Sequence, residues 1–201
     1  MADKYPEIFV LRHGQTEWNL AGRFQGRLDS PLTETGRGQA LTQAEILAAR
    51  AGGHADLSAY CSPQPRALRT AEIALAPLGL MPAQDPRLCE ISFGVWEGLT
   101  FDQIAMDWPD HVSHADFDGF EWQFQSPGGE DFDQMRQRVT EFLDHLSGPS
   151  IIVTHGITSR ILRGVWLGHQ GNEIAGMPGG QGCVYHLRDG RQMKLEGGEQ
   201  A

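Results

Sequence analysis

Residues 8–14, IFVLRHG, decide the fold of this 201-residue chain. Their first four residues form a short, continuous apolar run, which predicts a strand that is buried on both faces. The strand ends in Arg12, His13 and a glycine, and ligands of open α/β sheets bind at the carboxyl ends of the strands. Residues 151–156, IIVTHG, repeat the pattern. Two strands that each end in His-Gly predict one site that contains two histidines.

Helix and strand patterns alternate along the rest of the chain. Helices are predicted over residues 34–51 (with Thr33 as the N-cap), 62–78, 101–106, 130–146 and 157–167. A further strand is predicted over residues 57–61, and a hairpin with a type I′ turn over 184–195. We therefore expect an α/β fold, a three-layer sandwich whose mostly parallel sheet has helices on both faces and an antiparallel hairpin at one edge.

The length of the chain suits one sizeable core, so we expect a single domain over residues 1–201. Its charge is uneven, because residues 88–135 hold eleven of the 26 acidic residues and none of the 16 lysines and arginines. We interpret this segment as an acidic excursion over the site that disfavours polyanionic substrates. Residues 196–201 are expected to be disordered.

The composition also excludes several classes of protein. A formal net charge of −10 argues against nucleic acid or an anionic membrane as partner. No apolar stretch is long enough to span a bilayer, and the first residues do not resemble a secretory signal. Three cysteines without Cys-x-x-Cys spacing argue against a disulfide framework or a zinc site. We therefore expect a cytoplasmic protein.

The side chains expected at the sheet edge suit a tetrahedral dianion. Right-handed crossovers would bring Arg66, in the first turn of the second helix, beside Arg12, His13 and His155. Guanidinium groups match phosphate oxygens two at a time and stay charged. The helix starts after Ser62 and His155 would add backbone N–H donors.

A nucleophile and a proton donor complete the predicted site. A neutral imidazole is a competent nucleophile toward phosphorus, and neighbouring guanidinium groups favour the neutral form. Glu90, a carboxyl group among apolar neighbours, is the candidate proton donor. Glu97 lies close by in the sequence and is its competitor for that role.

These residues fall within motifs that resemble those of the histidine phosphatase superfamily, also called the phosphoglycerate mutase-like family. The motifs follow in the family's order over residues 8–168, at 12–19 (RHGQTEWN), 23–36 (RFQGRLDSPLTETG), 61–71 (CSPQPRALRTA), 90–98 (EISFGVWEG) and 154–156 (THG). Residues 93–98 and 126–130 (SPGGE) resemble the phosphatase branch, although Asp131 stands where many relatives have serine.

The resemblance implies a role for each residue. His13 would become phosphohistidine, and Glu90 would protonate the leaving oxygen and then take a proton from the attacking water. The phosphoryl oxygens would be held by Arg12, Arg66 and His155. The substrate would also contact Asn19, Gln25 and Gly156. No metal and no cofactor is implied.

Three functions from different classes remain open. The leading hypothesis is a metal-independent phosphatase that hydrolyses a small-molecule phosphate monoester. The first alternative is a phosphoglycerate mutase-type phosphomutase, in which the phosphoryl group returns to substrate. The second is a non-catalytic module that binds a phospho-ligand or a protein; its mark would be the loss of the nucleophile, the second histidine or the acid, and none is lost. The substrate and the oligomeric state stay open.

Other residues with chemical potential have simpler interpretations. A helical stretch would align four possible metal ligands, Asp107, His111, His114 and Asp118, but we expect a solvated acidic surface there. The aromatic residues Trp108, Phe117, Phe120, Trp122 and Phe124 could form the core of the excursion, a protein-binding patch or a contact for an apolar leaving group. Cys89 is expected to be a small apolar filler rather than a reactive thiol.

Overall fold

A six-stranded sheet lies at the centre of the computed structural model, which describes residues 4–51, 53–111 and 120–198. The strands are β1 (Ile8–Arg12), β2 (Ser58–Cys61), β3 (Ala83–Gln84), β4 (Ser150–Thr154), β5 (Val184–Arg188) and β6 (Arg191–Leu195), in the order β3-β2-β4-β1-β5-β6. The first four strands in that order run parallel, whereas β5 pairs antiparallel with β1 and with β6. The predicted sheet, mostly parallel with an antiparallel edge hairpin, is confirmed.

Helices cover both faces of this sheet. They are α1 (Glu17–Leu20), α2 (Glu34–Arg50), α3 (Pro65–Leu75), α4 (Phe101–Asp107), α5 (Phe132–His145), α6 (Gly156–Leu167) and α7 (Gly171–Ala175). Strand β1 alternates between the layers, because Phe9 and Leu11 pack with α2 and α3 while Ile8 and Val10 pack with α5 and α6. Burial on both faces explains why this strand is continuously apolar.

The helix predicted from residue 62 begins three residues later. The backbone N–H of Ser62 donates to Val153 O at 3.0 Å and so extends the pairing of β2 with β4. Pro65, which lacks an N–H, then takes the first helical position. The structure also adds α1, β3 and α7, which are too short to show a hydrophobic period.

Two element ends have defined local geometry. In the edge hairpin, Asp189 and Gly190 have φ angles of 51° and 68°, as a type I′ turn requires. Asp131 is the N-cap of α5, where its side chain accepts from Gln134 N at 2.8 Å. This aspartate thus stabilises a helix start.

The described aromatic residues of the excursion form core. Phe120 and Trp122 are buried, and the Trp122 ring makes edge contacts with Phe24 at 5.4 Å and with Phe101 at 6.0 Å between centroids. Phe117, His114 and Asp118 lie outside the described residues, as do residues 199–201 of the tail. Within residues 4–51, 53–111 and 120–198 there is no group of side chains that could hold a metal ion and no helix long and apolar enough to cross a bilayer.

Candidate active site

The pairing of β1 with β4 brings the two His-Gly segments together. Arg12 is opposite Thr154 in the parallel ladder, and His13 N continues it by donating to Thr154 O at 2.9 Å. As a result the His13 and His155 rings meet edge to face, 5.1 Å apart at their centroids. His13 lines a cavity of about 340 Å³, whereas His155 lies behind it and is not among the lining residues. The predicted convergence on one sheet edge is confirmed.

His13 is held as one neutral tautomer. Its Nδ1 lies 2.7 Å from Gly14 O, and because a carbonyl only accepts, Nδ1 carries the proton. The lone pair is therefore on Nε2, where Arg66 Nε donates at 3.3 Å. Burial, aided by the charges of Arg12 and Arg66, holds the pKa of His13 well below its ordinary value of 6.5. The ring is neutral at pH 7.

Arg66 is clamped by the loop over residues 26–29. Its Nη1 donates to Leu28 O at 2.6 Å and to Asp29 Oδ1 at 2.9 Å, and its Nη2 donates to Gly26 O at 2.9 Å. The side chain is almost fully buried and has little freedom left. A donor on the cavity wall is thereby preorganised.

Arg12 lies against the start of α6. A Cβ on Gly156 would come within 3.2 Å of the Arg12 Cζ, so any other residue there would press on the guanidinium and shift it by a few tenths of an ångström. The Arg12 Nε is buried and has no hydrogen-bond partner among the described residues. Burial, together with the charges of Arg66 and Arg160, lowers the pKa of Arg12 despite the opposing effect of Glu90. An anion in the cavity would satisfy this unpaired donor.

His155 is fully buried at the N-cap position of α6. Its Nε2 lies 2.8 Å from Ser62 Oγ, and its Nδ1 has no partner within the described part of the chain. Burial, with the charge of Arg66 next in importance, holds its pKa well below 6.5. Two neutral imidazoles thus face each other beside the arginines.

The Glu90 carboxylate is bound by the first turn of α6. Its Oε1 accepts from Ile91 N at 3.1 Å and from the backbone and hydroxyl of Thr158 at 3.1 and 3.0 Å. Among the described residues, its Oε2 accepts from Ile157 N alone, at 3.2 Å. Oε2 is therefore the carboxyl oxygen that can still form a hydrogen bond with a ligand in the cavity. Glu97 does not line the cavity; it accepts from Arg27 N and Phe93 N instead.

Three of the backbone N–H groups expected to bind an anion at the helix N-termini are engaged within the protein. The amides of Ile157 and Thr158 serve Glu90, and in α3 the amide of Arg66 donates to Asp29 Oδ1 at 3.2 Å. The helix starts hold acidic side chains of the protein, so the side chains of the site, rather than these amides, are left to bind an anion.

Asn19 and Gln25 both line the cavity, but they differ in how many hydrogen-bonding groups they leave for a ligand. The Oδ1 of Asn19 accepts from Thr16 N and Gln181 Nε2, both at 3.2 Å, which leaves its Nδ2 for a ligand. Both ends of the Gln25 side chain are engaged, at 2.8 Å with Thr16 Oγ1 and at 3.1 Å with Ser30 Oγ. Gln25 therefore shapes the wall more than it offers donors.

Several residues at the site escaped the sequence patterns. Gln64 accepts from Glu90 N at 2.7 Å through Oε1 and donates to Gly26 O at 2.8 Å through Nε2, so it ties the acid to the loop that clamps Arg66. Arg160 lines the cavity one helical turn after Gly156. The sequence could have indicated Arg160, because it comes four residues after the glycine of the strand-end His-Gly. Residues four apart share one face of a helix, so Arg160 must lie on the same face as that glycine.

The charge of the cavity differs from the expectation set by the acidic segment. Five arginines line it, and Glu90 is the one carboxylate that the described lining contains. Glu130 of the same segment is paired instead with Arg27 at 3.0 Å and Arg138 at 2.8 Å. A strongly cationic, nucleophilic pocket with one proton-transfer group suits phosphoryl chemistry.

Comparison with known proteins places this geometry in a family. The sequence model of the histidine phosphatase superfamily (branch 1) matches residues 8–195. The chain belongs to the histidine phosphatase superfamily. Among histidine phosphatase relatives, phosphoserine phosphatase 1 of Hydrogenobacter thermophilus is 32% identical over 168 residues, covering 81% of this chain and 76% of that protein. A probable phosphoglycerate mutase of Photorhabdus laumondii is 32% identical over 170 residues, covering 81% and 75%.

A solved structure shows the same fold in a histidine phosphatase. The chain superposes on a mycobacterial glucosyl-3-phosphoglycerate phosphatase with a TM-score of 0.77 and 27% identity, covering 96% of this chain and 98% of that one. The relatives thus include phosphatases and a protein named as a probable mutase.

Proposed function

We propose that this protein is a metal-independent phosphatase that hydrolyses a small-molecule phosphate monoester through a phosphohistidine on His13. The observation that carries the proposal is the state of that ring. It is buried and neutral, its Nδ1 proton is bound by Gly14 O, and its Nε2 lone pair lies beside Arg66. A nucleophilic nitrogen needs that lone pair and a nearby cation to stabilise the phosphoryl oxygens.

The reaction divides into two transfers. In the first, Nε2 of His13 bonds to phosphorus while the phosphorus–oxygen ester bond breaks, and Glu90 gives its proton to the leaving oxygen through Oε2. In the second, water attacks the phosphorus, Glu90 takes the water proton and the phosphorus–nitrogen bond breaks to release phosphate. The oxygens of the transferred phosphoryl group are held by Arg12, Arg66 and His155. Asn19 and Gln25 contact the substrate from the cavity wall, and Gly156 leaves room for the Arg12 side chain.

The runner-up function is a phosphomutase on the same scaffold, which the name of the Photorhabdus laumondii relative favours. The two differ only in the acceptor of the second transfer. Residues 93–98, FGVWEG, support the phosphatase, because they resemble the phosphatase form of the acid motif. A binding module without activity is disfavoured because His13, Glu90 and His155 are all present.

The proposal is tested by turnover over a panel of phosphate monoesters with a chelator present. We expect hydrolysis that survives the chelator, is abolished in His13→Ala and is unchanged in His145→Ala, a matched change at an exposed histidine at the end of α5. Quenching with labelled substrate should place an acid-labile phosphoryl group on His13. A label on another residue, chelator-sensitive turnover, or faster transfer to added phosphoglycerate than to water would each overturn the assignment.

A further inference from the structure

Thr158 is a fully buried residue of α6 whose hydroxyl group has one proton and two acceptors. Its Oγ1 lies 2.8 Å from Cys89 O and 3.0 Å from Glu90 Oε1. A carbonyl oxygen only accepts, and so does an ionised carboxylate, so the hydroxyl serves just one of the two at full strength. Leaving the other acceptor short of a donor is costly in a protein interior.

The charge of Glu90 decides which acceptor the hydroxyl serves. When Oε2 carries the proton, Oε1 is a neutral carbonyl oxygen that already accepts from Ile91 N and Thr158 N, both at 3.1 Å. The hydroxyl then donates to Cys89 O, its nearer acceptor. When Oε2 has given up its proton, Oε1 carries part of the negative charge. A hydrogen bond to a charged acceptor is about twice as strong as a neutral one, so the hydroxyl then donates to Oε1.

Thr158 contacts the acid and not the cavity. The residues on either side of it, Ile157 and Ser159, line the cavity, whereas Thr158 does not. One turn earlier, at the end of β4, Thr154 Oγ1 donates to Leu88 O at 2.7 Å. Two threonine hydroxyls thus hold successive carbonyl groups of the segment that leads into the acid, and the hydroxyl of Thr158 also reaches the carboxyl group.

We propose that Thr158 is a positioning residue whose hydroxyl stabilises the charge that forms on Glu90 when it protonates the leaving oxygen. The inference rests on the proposed function. In the first transfer the Oε2 proton passes to the leaving oxygen as the phosphorus–oxygen bond breaks, and the electron pair of the O–H bond stays on the carboxylate. The hydroxyl rotates about its Cβ–Oγ1 bond from Cys89 O to Oε1, and no covalent bond of Thr158 changes.

This hydrogen bond strengthens only as the charge develops, so it lowers the barrier of the first transfer without tightening the binding of substrate. In the second transfer the carboxylate takes the water proton, and the Thr158 hydroxyl returns to Cys89 O. The hydroxyl therefore changes acceptor twice in each turnover.

The test compares Thr158→Val, which keeps the branched shape, with Thr158→Ser, which keeps the hydroxyl. In Thr158→Val we expect kcat/KM for glycerol 3-phosphate to fall about 10-fold, the lower value for one hydrogen bond to a charged acceptor. For p-nitrophenyl phosphate it should change less than about twofold, because that leaving group needs no proton. Thr158→Ser should restore the turnover of glycerol 3-phosphate.

Thr154→Val is the matched control, because it removes the neighbouring hydrogen bond to Leu88 O and leaves the carboxyl group untouched. Any loss in this variant should be equal on both esters. The inhibition constant of inorganic phosphate should be unchanged in Thr158→Val, since Thr158 does not line the cavity.

Five results would overturn the inference. In Thr158→Val they are equal losses on both esters, no loss on either, or weaker inhibition by phosphate. The others are a failure of Thr158→Ser to restore turnover and a loss in Thr154→Val that depends on the leaving group.

An NMR measurement separates this inference from failure of the proposed function. In protein labelled at the glutamate carboxyl carbon, the resonance of Glu90 is assigned by its absence in Glu90→Gln. We expect it to shift in Thr158→Val and to keep its position in Thr158→Ser. That result supports the bond between the hydroxyl and the carboxylate even if the protein hydrolyses no ester, and an unchanged resonance in Thr158→Val contradicts it.

Discussion

Replacing Glu90 by glutamine tests the assignment of the proton donor. The glutamine oxygen can keep the three hydrogen bonds that Oε1 accepts, from Ile91 N and from the amide and hydroxyl of Thr158. Its NH₂ group would then face Ile157 N, so that hydrogen bond is lost and the amide of Ile157 is left unpaired. That loss costs about 1–3 kcal/mol of stability, which leaves a folded protein for the assay.

The effect on catalysis should depend on the leaving group. A positioned general acid contributes about 100- to 10,000-fold, or about 2.7–5.4 kcal/mol of activation free energy at 1.36 kcal/mol per tenfold. An alkyl phosphate needs the full contribution because its alkoxide is a poor leaving group. The p-nitrophenolate anion leaves without a proton, so kcat/KM for p-nitrophenyl phosphate should fall much less in Glu90→Gln.

Steady-state kinetics on both substrates measure this difference, and Glu97→Gln is the matched control. Glu97 accepts hydrogen bonds from Arg27 N and Phe93 N away from the cavity, so its variant should show no dependence on the leaving group. Equal losses on the two substrates in Glu90→Gln, or the selective loss appearing in Glu97→Gln, would refute the reasoning.

Two further predictions concern stability. Because His13 and His155 have folded-state pKa values below 6.5, the unfolded chain binds protons that the folded protein excludes as the pH falls through 6.5. In urea titrations the free energy of unfolding should therefore decrease below about pH 6.5, by up to about 1.4 kcal/mol per pH unit for each histidine. In α2, Gly36→Ala should lower the free energy of unfolding by about 1–3 kcal/mol, because the new Cβ would lie 2.1 Å from Gln15 O. Gly38→Ala in the same helix should raise it by about 0.5–1 kcal/mol, because there is open space around its Cβ.

Each of these predictions has an outcome that contradicts it. His13→Gln should make the acid dependence of the free energy of unfolding shallower, and an unchanged slope would mean that burial of this ring does not exclude the proton. Equal effects of the two alanine substitutions would mean that the close approach of Gly36 to the loop does not limit that helix position.

The parts of the fold that the sequence predicted are those with a clear hydrophobic period or run. The continuous apolar runs of β1 and β4 need burial on both faces, so their position and the site at their ends followed directly. The short elements α1, β3 and α7 hold at most five residues each, and no periodic signal fits in that length. Their positions depend on tertiary contacts.

The candidate site likewise contains residues that a local sequence pattern could locate and contacts that it could not. His13, His155, Arg12 and Arg66 are placed by strand ends and one helix start, which a local pattern can locate. The hydrogen bonds from α6 to Glu90 join residues 67 and 68 positions apart, and no local pattern encodes them. For that reason the sequence did not reveal that the amides of Ile157 and Thr158 bind Glu90.

The attachment of Glu90 to α6 has a consequence for how this enzyme family can diversify. Glu90 and His155 are both fixed to the beginning of one helix, and His13 is locked to the adjacent strand by Thr154 O. The spacing between the His13 ring and the Glu90 carboxyl group therefore depends on the register between β1 and β4, since β4 leads directly into α6. Substitutions elsewhere on the cavity wall would change its shape without changing that spacing.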